Sequence, residues 1–337
     1  MGRTKKGLLA LSAMLIVAML VSLAGCGTTK SSADTTPKKV YKIGAVQIVE
    51  HPALDAAYKG FKDELAAQGY KDGDNIQLDF KNAQGDTNTL NTIATQFVGD
   101  KKDLILAIAT PSAQAVAGQT KTIPIVATAV TDFVSAKLVA SNEKPGGNVT
   151  GVSDMNPVAD QIALGVELVP SAKTVGLAYN SSEGNSIVQI NLAKKAIEAK
   201  GLKWTEVTVT GANDVQQAIQ SLVTKSDFIY LPTDNTMANA MDTIKSVTQT
   251  AKIPVICGEP NMVSKGGLAT LGIDYEALGH ATGKMAIEIL KGKNPADMPI
   301  QFAENPQVVI NKDAATALGI TIPDKYQQYV KAPADIK

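Results

Sequence analysis

A chain of 337 residues with 32 Lys plus Arg against 32 Asp plus Glu carries no positive excess for a nucleic-acid surface. Its length exceeds the roughly 250–300 residues at which single hydrophobic cores stop growing, so two lobes are expected. With only two cysteines and two histidines, a disulfide framework or a zinc cluster has little material.

Arg3, Lys5 and Lys6 precede the apolar run LLALSAMLIVAMLVSLA, which ends in Leu23-Ala24-Gly25-Cys26. A basic start, an apolar stretch and a small-residue cleavage site make residues 1–25 a secretory signal. A cysteine directly after that site is the pattern of a bacterial lipobox, which implies cleavage before Cys26 and lipid on its thiol. A retained transmembrane helix is the weaker reading, since a span needs about 20 apolar residues. Losing the three basic side chains of the signal leaves a small acidic excess. Residues 26–39, including GTTKSSADTTPKK, are polar and aperiodic and read as a flexible tether. The mature protein is therefore expected outside the cytoplasm, held to the membrane by lipid alone. Cys257 is then left without an intrachain partner, and its place after the apolar run IPVI suits a buried, inert thiol.

Beyond the tether, strands alternate with amphipathic helices. KIGAVQIV is followed by a helix whose Leu54, Ala57, Tyr58, Phe61 and Leu65 recur at helical spacing. NIQLDFKNA, a helix over 87–98, DLILAIAT, a helix over 112–119 and IPIVATAV complete four rounds of strand and crossover. Such alternation predicts a parallel, doubly wound sheet. The pattern then restarts with TVGLAYN, a helix over 186–200, KWTEVTVT, a helix over 213–223, DFIYLP, a helix over 236–250 and IPVICG. IPIVATAVTD closes the first set and IPVICGEPN the second, which suggests a duplicated lobe. Between the two sets KPGGNVTGVSD, with a Gly pair and an extended run, suits a crossover strand, while GGLATLGIDY with the following helix and QVVINKDAATALGI add further α/β material. The expected organisation is an α/β protein of two doubly wound lobes joined by three crossovers, with 40–150 plus 260–298 in one lobe and 151–259 plus 299–335 in the other.

The segments EHPALDAAYKGFKDEL, ATPSAQAVA, PIVATAVTD, KPGGNVTGVSD, YNSSEGNS, PTDN and GIDYEALG, in this order, resemble the substrate-binding lipoproteins of ABC transporters with the type I periplasmic binding fold. The likeness is to the group that includes tryptophan and tyrosine uptake proteins, and it runs from Lys39 to about Lys325. It implies a monomeric receptor that passes a small ligand to a permease and an ATPase. One departure is visible: Phe133 stands where members of the group commonly have Pro.

In open parallel sheets, ligands bind beyond the C-terminal ends of the strands. FIYLPTDN delivers Asp234 and Asn235 to such an end in the second lobe. In the first lobe the corresponding ends carry Thr110, Ser112, Thr128 and Thr131. Hydroxyls and free N–H groups at a helix start suit a carboxylate, so a carboxylate-binding lobe would face a carboxylate-bearing one. In the related branched-chain amino-acid receptors the hydroxyl-bearing turns hold the ligand carboxylate and an acid of the other lobe holds its ammonium. By position, the resemblance implies that Ser112 and Thr128 take the carboxylate and Asp234 the ammonium. Simple helix capping is the competing reading for Asp234. Ser182, Glu183, Asn185 and Ser186, around the flexible Gly184, can reach the same cleft. Glu259, Asp274 and Glu50 are further candidate walls, with His51 beside Glu50 at the first helix.

No catalytic pattern emerges. His51 and His280 are not in a metal-ligand spacing, no GxSxG elbow occurs, and GHATGK is one residue short of a phosphate loop and lies within a helical pattern. No cofactor is expected. An aromatic amino acid is the leading ligand on resemblance; the alternatives are a sugar or nucleoside, or a sensing module of a signalling receptor. Sugar sites commonly stack rings on aromatic side chains, and the single Trp of the chain, Trp204, sits in a strand rather than at its C-terminal end.

Overall fold

The computed structural model describes residues 39–336; the signal, Cys26 and the tether up to residue 38 lie outside them. In chain order the strands are β1 (Tyr41–Gln47), β2 (Ile76–Asn82), β3 (Leu104–Ile108), β4 (Ile125–Val130), β5 (Val149–Ser153), β6 (Thr174–Asn180), β7 (Lys203–Val209), β8 (Phe228–Leu231), β9 (Val255–Cys257), β10 (Ala269–Gly272), β11 (Gln301–Phe302), β12 (Gln307–Asn311) and β13 (Val330–Lys331). The α-helices are α1 (Pro52–Ala67), α2 (Thr87–Gly99), α3 (Thr110–Gln119), α4 (Val158–Leu168), α5 (Gly184–Ala199), α6 (Val215–Leu222), α7 (Asn235–Asn239), α8 (Met241–Ala251), α9 (Pro260–Ser264), α10 (Tyr275–Leu290) and α11 (Lys312–Leu318).

Two sheets result. The first runs β11-β5-β4-β3-β1-β2 with every pair parallel, and the second runs β13-β12-β10-β9-β8-β6-β7 with one antiparallel pair, β10 with β12. Strands covered on both faces must be apolar throughout, and β3, β4, β8 and β9 are buried at every residue. The two doubly wound α/β lobes are as expected. Phe133 is fully buried in the core of the first lobe, so this side chain fills space behind the strand end. Cys257 is buried in β9, where desolvation pushes its thiol well above the ordinary range.

The sheets move the lobe limits. The chain leaves the first sheet after β5, returns after β10, and leaves again after β11. Residues 149–153 therefore extend the first lobe past the expected limit at 150. Residues 260–272, expected in the first lobe, lie in the second, and residues 301–302, expected in the second, pair with β5 in the first. The physical reason is remote pairing: Ala269 finds Ile310 across an antiparallel ladder, a contact with no local signature. The helix expected over 236–250 is broken at Ala240 into α7 and α8. The first turn of α7 is drawn onto the carboxylate of Glu183, which accepts from the N–H groups of Asn235 and Thr236, 3.1 Å each.

Helix α10 returns from the second lobe to cover the first sheet against α1. The seam is built on glycines: a Cβ on Gly279 would stand 2.0 Å from the carbonyl oxygen of Ala57, and one on Gly60 would stand 2.1 Å from that of Glu276. GHATGK therefore belongs to a close-packed helix interface, with no loop for phosphate.

Candidate functional site

The C-terminal ends of both sheets converge on a small cavity. The first lobe supplies His51 and Leu54 from the start of α1, Ala129 and Thr131 from the end of β4, Asp154 after β5, and Tyr275 from the start of α10. The second supplies Asn185, Thr233, Asp234, Asn235, Ala238 and Glu259. None of these is Lys or Arg.

Each acid is pinned by local donors. Asp234 is the N-cap of α7: Oδ1 accepts from the N–H of Met237 (2.8 Å), and Oδ2 from the N–H of Asn180 and the hydroxyl of Ser186, both at 2.7 Å. Glu259 caps α9, accepting from the N–H groups of Asn261 (2.5 Å) and Met262 (2.9 Å). Asp154 accepts from the hydroxyls of Thr131 (3.3 Å) and Tyr275 (2.8 Å). Burial dominates their electrostatics. It lifts Asp234 to about 7, aided by the nearby charge of Glu183, lifts Glu259 to about 8 against two backbone hydrogen bonds, and raises Asp154. His51 is desolvated in the opposite sense, down to about 4, and is neutral at physiological pH. Three buried carboxyl groups thus face one cavity with no basic side chain to pair them, an arrangement that favours a cationic occupant.

The first lobe presents the complementary chemistry. The strand ends of β3 and β4 each turn through an alanine at positive φ, Ala109 at 79° and Ala129 at 55°, backbone strain of the kind that collects at functional sites. Behind them the hydroxyls of Thr110, Ser112 and Thr128 are buried and have no hydrogen-bond partner in the protein. The strands are in register here, with the N–H of Ala109 donating to the carbonyl of Thr128 at 3.0 Å.

Of the residues singled out in the sequence, the structure brings Thr131, Asn185, Asp234, Asn235 and Glu259 to the cavity wall. Thr110 lines a neighbouring hollow that shares Asn185; Ser112 and Thr128 lie buried beside it, lining neither space. Ser186 acts on Asp234, and Glu183 is consumed by α7, its carboxylate taking Asn235 and Thr236. Three candidates are corrected. Glu50 is exposed on an outer depression: the backbone at His51 is extended, with φ −159° and ψ 157°, so adjacent side chains point to opposite sides and His51 takes the inner one. Asp274 is exposed and spends Oδ1 on the N–H groups of Glu276 and Ala277 as the N-cap of α10, leaving Tyr275 to face inward. Ser182 is exposed at the rim. Asp154, Tyr275 and Leu54 are additions that the sequence did not mark, although Asp154 ends a parallel strand just as Asp234 does. Among the described residues Asp63, Glu276 and His280 come close enough to hold a metal ion, but Lys59 already pairs with both carboxylates, at 2.8 and 2.6 Å.

Two α/β lobes meeting over an acid-lined cavity define a receptor that traps a small molecule. Residues 42–332 match the model of the ABC transporter substrate binding protein family, and the chain belongs to that family. It is 45% identical over 313 residues to a tyrosine-binding protein of Clostridioides difficile, covering 92% of this chain and 91% of that one. A Streptococcus pneumoniae ABC domain solved in complex with L-Trp superposes with a TM-score of 0.85 at 42% identity, over 87% of this chain and 100% of that one. A ligand-free, open substrate-binding protein from Clostridium difficile reaches only 0.66 at 46% identity, over 87% and 99%. The lobes here are therefore arranged as in the L-Trp complex rather than as in the open form. Hydrogen bonds across the cleft agree: His51 Nε2 lies 3.3 Å from Asn235 Oδ1, and Gln189 donates to Thr131 at 3.4 Å. As a substrate-binding protein of an ABC transporter the chain works outside the cytoplasm, and no helix among the described residues is long and apolar enough to cross a membrane.

Proposed function

We propose that the protein is the receptor of an ABC importer for an aromatic amino acid, anchored through lipid on Cys26 and serving as a monomer to a permease and its ATPase. The observation that carries this reading is the cavity's polarity: Asp154, Asp234 and Glu259 converge without a basic partner. Charges so arranged favour a ligand that carries an ammonium, held by the acids, Asp234 foremost. Leu54, Ala129 and Ala238 supply the apolar part of the wall. The tyrosine-binding relative and the L-Trp complex support the aromatic class.

A thermal-shift screen of the mature protein against amino acids, sugars and nucleosides tests this. An aromatic amino acid at 100 times its Kd is expected to stabilise by about 2.7 kcal/mol; stabilisation by a sugar or nucleoside alone would replace the reading. For the anchor, Cys26→Ser is expected to release the protein from the membrane fraction or leave an uncleaved precursor. A cleaved variant still on the membrane would refute it.

A further inference from the structure

We propose that His51 determines specificity, its Nδ1 accepting a hydrogen bond from the donor on the ligand's side chain, a phenol O–H or an indole N–H. This rests on the aromatic amino-acid reading above.

The assignment follows from a chain of hydrogen bonds that begins at a carboxylate. Glu183 accepts from the backbone N–H of Asn235 at 3.1 Å and from its side-chain Nδ2 at 2.5 Å. A carboxylate takes only donors, so the Asn235 amide is fixed with its nitrogen toward Glu183 and its oxygen toward His51. That oxygen lies 3.3 Å from His51 Nε2 and can only accept, so Nε2 carries the proton. Burial keeps the ring neutral, and a neutral imidazole protonated at Nε2 has a bare lone pair on Nδ1. Nδ1 is buried and has no partner within the protein, on a ring that lines the cavity and is only 7% exposed. A buried acceptor left unmet is costly, so the closed site selects a ligand with a donor at this point.

Which donor is settled by what else the cavity offers. Asp154, Asp234 and Glu259 provide more carboxylate oxygens than an ammonium has protons. Asn185 Oδ1, the other unpartnered acceptor on the wall, belongs to their side, since its amide nitrogen donates to the carbonyl of Thr233, next to Asp234, at 3.1 Å. His51 instead shares its wall with Leu54, one turn along α1, and with Ala238, the apolar surface suited to a ring. The remaining donor is therefore the one the ring carries. Sites built around such a donor reject the analogue that lacks it.

Calorimetry with tyrosine, tryptophan and phenylalanine tests the proposal on wild type, His51→Gln and His51→Asn. Gln places an amide nitrogen near the position of Nε2, keeping the bond to Asn235 while deleting the Nδ1 acceptor. Asn places an oxygen near Nδ1 and loses the bond across the cleft. Wild type is expected to prefer tyrosine and tryptophan over phenylalanine. His51→Gln is expected to weaken those two about tenfold more than it weakens phenylalanine, whereas His51→Asn weakens all three alike. An equal loss of phenylalanine and tyrosine in His51→Gln overturns the proposal alone; wild type that binds none of the three overturns the parent reading and this one with it. Nitrogen-15 NMR gives a readout independent of affinity, because the chain has only two histidines. In the tyrosine complex His51 is expected to show a protonated Nε2 and an unprotonated Nδ1, and the reverse tautomer refutes the assignment.

Discussion

Asp234→Asn is expected to weaken amino-acid binding by roughly 30-fold to several thousand-fold, because leaving a desolvated ammonium without its charged partner costs about 2 to 5 kcal/mol. Asn caps helices about as well as Asp, so the bond from the Met237 N–H survives. The bond from the Asn180 N–H does not fare so well, since an amide nitrogen replaces one of the two acceptors that Asp234 provides. A stability loss of about 1 to 3 kcal/mol is therefore expected beside the affinity loss, partly offset because the neutral amide escapes the burial that lifts the carboxyl to about 7. Ligands without an amino group separate the two effects. The desamino analogue of tyrosine should lose little affinity in the variant, while tyrosine loses most of its own. If calorimetry finds tyrosine affinity unchanged, Asp234 is a cap alone, and the ammonium belongs to Asp154 or Glu259.

The second large effect is a pH-dependence of lobe closure in protein stripped of ligand. Burial in the closed arrangement lifts the carboxyl groups of Asp234 and Glu259 from the ordinary 3.8 and 4.5 to about 7 and about 8, and opening the cleft is expected to return them part of the way. A raised acid pKa favours the closed form below the open-state value and withdraws that support as pH rises through the closed-state value. Each carboxyl that is protonated in the closed form and ionised in the open one costs closure about 1.36 kcal/mol per pH unit. Closure without ligand should thus be easier at pH 6.5 than at pH 8.5, by at most roughly 2–3 kcal/mol. His51 acts in the other direction, from 6.5 down to about 4, and offsets one of the two acids only below pH 6.5. Small-angle scattering should show a smaller radius of gyration at pH 6.5 than at pH 8.5 for ligand-free protein. With saturating amino acid the compact form is expected at both, since an ammonium holds the acids ionised. A ligand-free radius that ignores pH would contradict the role of these carboxyls.

The strands were legible because a parallel sheet buried on both faces has to be written in continuous apolar runs such as LILAI and IVATAV. The placement of Asp234, Asn235, Thr131 and Glu259 was legible for a related reason: a polar residue directly after such a run marks a strand end, and strand ends in this topology meet at a cleft. Asp154 obeys the same rule, but its strand follows a Pro-Gly-Gly segment and reads as a crossover, which hides the strand end. His51 and Glu50 are separated only by the alternation of an extended backbone, which turns one inward and the other to solvent. Residues 260–272 fall in the second lobe because β10 is recruited by a strand beyond the next helix, and sequence patterns report local periodicity rather than remote partners. The unpartnered state of the Ser112 and Thr128 hydroxyls has no sequence signal at all, since any Ser or Thr at a helix start reads equally well as a cap.

The glycine seam between α1 and α10 also bears on the order of assembly. Helix α1 is made early, but the surface that covers Ala57 and Phe61 arrives with Gly279, and the first sheet gains its last strand only at Gln301–Phe302. Neither lobe is continuous in the chain, so neither can finish its core while the polypeptide is still emerging. Completion of the first lobe therefore waits for late segments of the chain, and the two lobes are expected to finish together in one cooperative event.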